Sequence, residues 1–252
     1  MITISQYQKA SSIKEAWELN QKRTGSIIGG MGWMKMTTAN VATAIDICDL
    51  GLDKIEENED EFILGAMVSL RDMELHEGLN AYFENAFKES VRHIVGVQFR
   101  NCATIGGTVW LRPGFSDPIT LLLALDTYVE LYCGEDENKL IPLDEFCSMK
   151  KDNSVIVSIR IKKDGRKVVY KSFRNTATDF PVLAVAVAKC DQKYIASVGA
   201  RPFLAKTVTG GDTDELVNKA KELKYQDNLR GTSEYRKMLA ELLINKAVQE
   251  IK

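Results

Sequence analysis

Two glycine pairs, Gly29-Gly30 and Gly106-Gly107, each stand at the end of a short apolar run and are each followed by aromatic or hydroxyl-bearing residues. A residue without a Cβ lets the backbone take φ > 0 and brings bare N–H groups close to a ligand, a geometry that suits diphosphates. One such pair is an ordinary tight turn. Two pairs, each read as closing a strand, constrain the chain toward strand-and-turn units that bring backbone against a ligand.

The hydrophobic pattern divides into three pieces. In residues 1–55, Ile13, Ala16, Trp17 and Leu19 fit a short helix over 12–21 with Ser11 or Ser12 as N-cap, and 26–28 and 42–47 read as strands. The charged stretch 56–61 opens a second piece over 56–150. There 62–68, 104–110 and 127–132 read as strands, and 70–75, 79–91 and the apolar segment 118–125 as helices. Residues 151–252 show three strand-like runs, 155–161, 182–188 and 194–199. Two amphipathic helices follow over 214–223 and 233–251, the second capped by Thr232 or Ser233. The order of elements predicts an α+β architecture.

Composition removes several function classes. The 33 basic residues nearly balance the 35 acidic ones and form no concentrated stripe, so nucleic acid is not an expected partner. No apolar run approaches the roughly 18–20 residues of a membrane helix, and the first residues lack the apolar core of a signal peptide. A cytoplasmic chain with no membrane partner is expected. Cys48, Cys102, Cys133, Cys147 and Cys190 lie far apart, without the close pairs of zinc or iron–sulfur sites. They are expected to be reduced, mostly core thiols. No metal site is expected, and any iron–sulfur cluster must come from another chain.

The segment Ile27-Ile28-Gly29-Gly30-Met31-Gly32-Trp33 lacks the strand-turn-helix context and later acid of a dinucleotide fingerprint, and it is no Walker loop. The second segment runs Arg100-Asn101-Cys102-Ala103-Thr104-Ile105-Gly106-Gly107-Thr108 and continues to Phe115-Ser116-Asp117-Pro118. Hydroxyls, amides and one carboxylate beside a glycine turn suit a ribose and a diphosphate. His76 and His93 have no companion ligand or nucleophile nearby and read as structural or surface residues.

That second segment, with Ser116-Asp117-Pro118 and the apolar run Leu122 to Asp126, resembles the FAD-binding subunit of the xanthine dehydrogenase and carbon monoxide dehydrogenase family. Further matches are 62–70, Lys171-Ser172-Phe173-Arg174 with Asp179, and Ser233-Glu234-Tyr235-Arg236, so the resemblance spans nearly the whole chain. It implies a two-part PCMH-type FAD-binding domain, 1–55 and 56–150. A small α/β C-terminal domain, 151–252, would follow, with a three-stranded sheet and helices. It also implies a molybdenum hydroxylase assembly, in which a molybdopterin-binding large subunit oxidises substrate and a 2Fe-2S small subunit relays electrons to FAD on this chain. NAD+ or another acceptor would then be reduced. The flavin carries that chemistry, so no catalytic acid or base is expected.

By matching positions, the resemblance places Ile27, Ile28, Gly29, Gly30, Met31, Gly32 and Trp33 at the FAD diphosphate. Ala103, Thr104, Gly106, Gly107 and Thr108 would line its other side and the ribityl chain. Asp117, with Ser116, would take the adenosine ribose, and Ile156 and Lys171 would reach the flavin ring. Asp117 also reads as a helix N-cap ahead of Pro118, and Arg174 with Asp179 as a structural pair. The family pattern puts a Thr or Ser and a polar residue after the first glycines, where this chain has Met31 and Gly32. A hydroxyl contact is therefore lost and backbone donors must hold the site. This departure motivates an alternative, a non-catalytic scaffold or assembly subunit with weak or lost FAD binding. A stand-alone FAD enzyme of the vanillyl-alcohol oxidase type fits poorly, because the last hundred residues are too few for its substrate domain.

Overall fold

The computed structural model describes residues 1–22, 24–135 and 138–251. It divides into two compact units, one of residues 1–72, 97–111 and 127–161, the other of 73–96, 112–126 and 162–252.

The first unit holds two sheets. In the smaller, strand Asn40–Asp46 lies between Thr3–Lys9 and Gly25–Ile28 and runs parallel to both. The crossover is the helix Ile13–Asn20, capped by the Ser12 side chain, which accepts from Glu15 N. Strand Thr3–Lys9 escapes the sequence reading because every side chain in it is exposed. No apolar alternation marks it, and the ladder to Asn40–Asp46 alone holds it in place. The larger sheet has five strands in the order Ile55–Glu57, Glu61–Gly65, Val155–Lys162, Thr127–Tyr132, Lys139–Pro142. Strand Val155–Lys162 thus pairs with Thr127–Tyr132 in this unit. It joins no sheet with the other strand-like runs of the last hundred residues.

One expected strand is a helix. Residues Ile105–Leu111 are α-helical, although the β-branched and glycine content of Thr104-Ile105-Gly106-Gly107-Thr108-Val109-Trp110 favours a strand. Tertiary bonds override that preference: Ile105 N donates to Val68 O at 2.9 Å and Gly106 N to Ala66 O at 2.9 Å. Thr104 turns the chain into the helix, its Oγ1 accepting from Gly107 N at 3.2 Å. The expected helix over 79–91 is likewise two helices, Glu77–Tyr82 and Ala86–Val91, parted by Glu84 and Asn85 at φ 52° and 65°.

The second unit is built on a four-stranded antiparallel sheet in the order Lys206–Gly210, Lys193–Gly199, Leu183–Cys190, Lys167–Phe173. The three-stranded sheet expected for the C-terminal region is therefore corrected. One of its three runs belongs to the other unit, and two further strands that the sequence reading passed over, Lys167–Phe173 and Lys206–Gly210, complete the set. Helices Thr213–Glu222 and Ser233–Glu250 cover one face, packing Leu216, Leu239, Leu243 and Ile244 on Val185, Val187 and Val198. The Thr232 side chain caps the second helix, accepting from Tyr235 N. Helix Asp117–Leu122 packs on the sheet too, and so closely that a Cβ on Gly199 would lie 2.1 Å from Thr120 Oγ1.

The cysteines are free, and none is a core thiol: Cys48 is exposed and the other four are half-buried. No helix among the described residues is long and apolar enough to cross a membrane. None of the described His, Cys, Asp and Glu side chains form a group of three or more placed to hold a metal ion.

Candidate functional site

A cleft of about 320 Å3 opens within the first unit, at the small end of the range of ligand pockets. Strand Gly25–Ile28 brings Ile27 and then Gly29 to it, and the start of helix Ile105–Leu111 brings Thr104, Gly106 and Gly107. Ile156, 6% exposed, lies at the start of strand Val155–Lys162 and also lines it. Six of the sequence-derived site residues are thereby gathered on one cavity.

The four glycines divide by what a side chain would meet. At Gly30 a Cβ would fall 1.3 Å from the Cys102 carbonyl oxygen, and at Gly106 2.6 Å from that of Ala66. Gly30 thus lets the two glycine loops lie against each other, and Gly106 lets the second lie against the turn after strand Glu61–Gly65. At Gly29 the nearest atoms are Thr104 Oγ1 at 3.1 Å and Met67 Sδ at 3.4 Å, and at Gly107 only Thr104 Oγ1 lies within reach, at 3.0 Å. Bare backbone is presented to the cleft at Gly29 and Gly107.

Positive φ is not what any of the four supplies. The left-handed residue of the first loop is Met31, at φ 54°, and the positive-φ glycines are Gly51, Gly134 and Gly165. Met31 leans on Ile28, Val41 and Ala44, which holds it there. The expected left-handed glycines are therefore corrected: the pairs are needed for close approach.

The loops also differ in their donors. Among the described residues, no protein acceptor takes the N–H groups of Gly29, Gly30, Met31 or Gly32. In the second loop, by contrast, the amides of Ala103, Ile105, Gly106 and Thr108 donate to Phe99, Val68, Ala66 and Thr104 carbonyls, and that of Gly107 to Thr104 Oγ1. The Thr108 hydroxyl donates to Thr104 O at 2.9 Å. Bare amides at both turns were expected; only the first loop has them. A run of four unpaired backbone donors that begins on the cleft wall at Gly29 suits a dinucleotide diphosphate, and the aliphatic Ile27, Ile47, Val155 and Ile156 suit the less polar parts of such a ligand. The residues present fit the cofactor that the sequence resemblance implies.

Ile28, Gly30, Met31, Gly32, Trp33, Ala103 and Thr108 do not line the cleft. Trp33, 39% exposed, begins the short 3-10 turn Met34–Met36. The sequence reading missed Met67, Trp110, Asp152 and Asn153 on the cleft. Trp110 is legible only once its segment is read as a helix, because it then lies one turn beyond Gly106 and Gly107 on the same face. Met67 lies within the matching segment 62–70, whereas Asp152 and Asn153 carry no motif and reach the cavity through the fold.

Ser116, Asp117 and Lys171 belong to the second unit. Ser116, not Asp117, caps helix Asp117–Leu122, its Oγ accepting from Ile119 N at 3.2 Å. Asp117 is buried, and its Oδ1 accepts from Arg174 Nη2 at 2.5 Å and from the Tyr170 hydroxyl. The proposed Arg174–Asp179 side-chain pair is corrected accordingly: Arg174 reaches only the Asp179 carbonyl, and the Asp179 carboxylate pairs with Arg230. Burial pushes the Asp117 carboxyl above the usual aspartate range, against the opposing pull of the Arg174 guanidinium and the Tyr170 hydroxyl. Burial and that carboxylate together drive the Tyr170 phenol well above its ordinary value. Lys171 pairs with Glu250 at 2.6 Å, both partly exposed.

A family model described as the FAD binding domain in molybdopterin dehydrogenase matches residues 3–162. The chain is 24% identical over 254 residues to the Escherichia coli K12 protein YgfM, covering 96% of this chain and 94% of that one. It is 24% identical over 274 residues to the glyceraldehyde dehydrogenase medium chain of Sulfolobus acidocaldarius, covering 97% of each. Among solved structures, a chain of the reconstituted CO dehydrogenase from Oligotropha carboxidovorans superposes with a TM-score of 0.87 at 19% identity, covering 99% of this chain and 97% of that one.

Proposed function

The chain belongs to the family of FAD binding domains in molybdopterin dehydrogenases, and from that membership we propose that it is the FAD-holding subunit of a multi-subunit molybdenum hydroxylase, taking electrons from a 2Fe-2S subunit and passing them to NAD+ or another acceptor. FAD is its cofactor, and its class is an oxidoreductase subunit. The relative from Sulfolobus acidocaldarius, a medium chain matched over nearly its whole length, supports a place beside larger and smaller partners.

The observation that carries the site assignment is the run of unpaired amides from Gly29 to Gly32 next to the cleft. Those amides would bind the diphosphate. Thr104 and Gly107 would bound it on the second loop, with Ile27 and Ile156 against less polar parts of the cofactor. When bound, FAD supplies the conversion between single-electron and hydride transfer. The protein binds it, orients it and limits water around it. Assignment of Ser116, Asp117 and Lys171 to the cofactor rests on the sequence resemblance alone.

The test has two arms. Purified chain mixed with FAD and then freed of unbound flavin by gel filtration should stay yellow and show altered flavin emission, and a chain that elutes colourless refutes the cofactor assignment. Co-expression with a molybdopterin-binding chain and a 2Fe-2S chain from the same organism should yield a stable complex in which a molybdenum-site substrate bleaches the flavin. Bleaching by substrate in this chain alone would refute the partner reading.

A further inference from the structure

We infer that Trp110 is the binding residue for the ring system of the flavin, its indole standing against the fused ring; this rests on the FAD reading above. Gly106, Gly107 and Trp110 all line the cleft from one helix, Ile105–Leu111. Spacings of four and three residues put them on one face. Helical side chains lean toward the N-terminus and cover the preceding turn, so the indole projects back over the turn that has no side chains. That face therefore offers a flat floor of backbone bounded by one large aromatic.

The indole is also held in place. Its ring centroid lies 6.4 Å from that of Phe146, which is 2% exposed, while Trp110 itself stays half-buried. A ring anchored by a buried neighbour with part of its surface on a cavity is preorganised for contact, since little rotamer freedom is lost on binding. At the start of strand Val155–Lys162, Val155 and Ile156 line the cleft, with Asp152, Asn153 and Ser154 just ahead of them. The indole with Val155 and Ile156 suits the faces of a fused ring, Asp152, Asn153 and Ser154 can meet its polar edge, and the unpaired amides that suit phosphate lie on the other loop.

The chain, Trp110→Phe and Trp110→Leu are titrated with FAD, riboflavin and ADP, reading flavin emission and affinity. An indole in contact quenches an excited flavin by donating an electron, and a phenyl ring donates far less readily. Trp110→Phe should keep FAD affinity within about threefold, because stacking persists, yet raise bound-flavin emission severalfold. Trp110→Leu should weaken FAD and riboflavin about tenfold and leave ADP unchanged. Trp17→Phe, whose indole packs on Tyr132 and does not line the cleft, should change neither reading. Unaltered emission in Trp110→Phe overturns the inference even if Trp110→Leu fails to fold. Loss of ADP binding in step with riboflavin overturns it too, because the indole would then be shaping the whole cleft. A wild-type chain that binds no FAD overturns the cofactor reading itself, whereas normal FAD binding with the variants unchanged overturns this inference alone.

Discussion

Two alanine substitutions one loop apart should separate folding from cofactor binding. In Gly30→Ala the new Cβ lies 1.3 Å from the Cys102 carbonyl oxygen and 2.5 Å from its carbon. Ordinary contact needs the loops to part by roughly 2 Å, and backbone on both sides cannot rotate away. The cost is at or above the upper end for overpacking, about 3 kcal/mol, or roughly 6–12 °C in Tm for a chain of this size. In Gly107→Ala the methyl meets only Thr104 Oγ1, at 3.0 Å. Turning that hydroxyl aside loses the Gly107 N–H bond, about 1 kcal/mol. Alanine regains about 1 kcal/mol over glycine inside a helix, so net stability barely moves. The methyl does enter the cleft, so FAD affinity should fall about tenfold or more, a loss of about 1.4 kcal/mol. Urea denaturation of the cofactor-free protein and fluorescence titration with FAD measure the two effects separately. A Gly30→Ala protein within about 0.5 kcal/mol of wild type, or a Gly107→Ala protein that binds FAD normally, would refute the division of the glycines into packing and cleft positions.

Asp117→Ala should destabilise by about 3–5 kcal/mol, because it strands the Arg174 guanidinium, whose side chain is 7% exposed, without its carboxylate; an unchanged urea midpoint would count against the pair. Burial, together with the Arg92 and Arg174 charges, lowers the pKa of His93. The neutral ring is favoured in the fold, so its stabilisation is fully present above the ordinary value of about 6.5 and is lost as pH falls through the lower folded value. His93→Gln should accordingly flatten the fall in denaturation midpoint on the acid side of pH 6.5, and an identical pH profile would remove His93 from that role.

Some parts of the fold were legible because local rules and tertiary packing agree. Ser12 and Thr232 cap their helices through side-chain oxygens, as their position before an apolar periodic run predicts. Strand Thr127–Tyr132 alternates buried and half-buried residues as its pattern requires. The failures share a physical cause. The segment Thr104 to Trp110 has strand-like composition but helical bonds, because Val68 and Ala66 carbonyls take its first amides. Thr3–Lys9 has no buried face to betray it. Arg174 reads equally well beside Asp179 in sequence, and only folding brings it to Asp117.

The glycine pairs show the same boundary. Sequence alone determined that backbone must come close to something at both places, since only glycine lacks a Cβ there, and the motif around the second pair carried the family. The tertiary structure decided what comes close to what. Gly30 and Gly106 meet other loops, Gly29 and Gly107 face the cleft, and the free amides belong to the first loop alone. Contact distances and hydrogen-bond partners between segments far apart in the chain, such as Gly30 with Cys102 and Gly106 with Ala66, are properties of three-dimensional packing, and no local pattern encodes them.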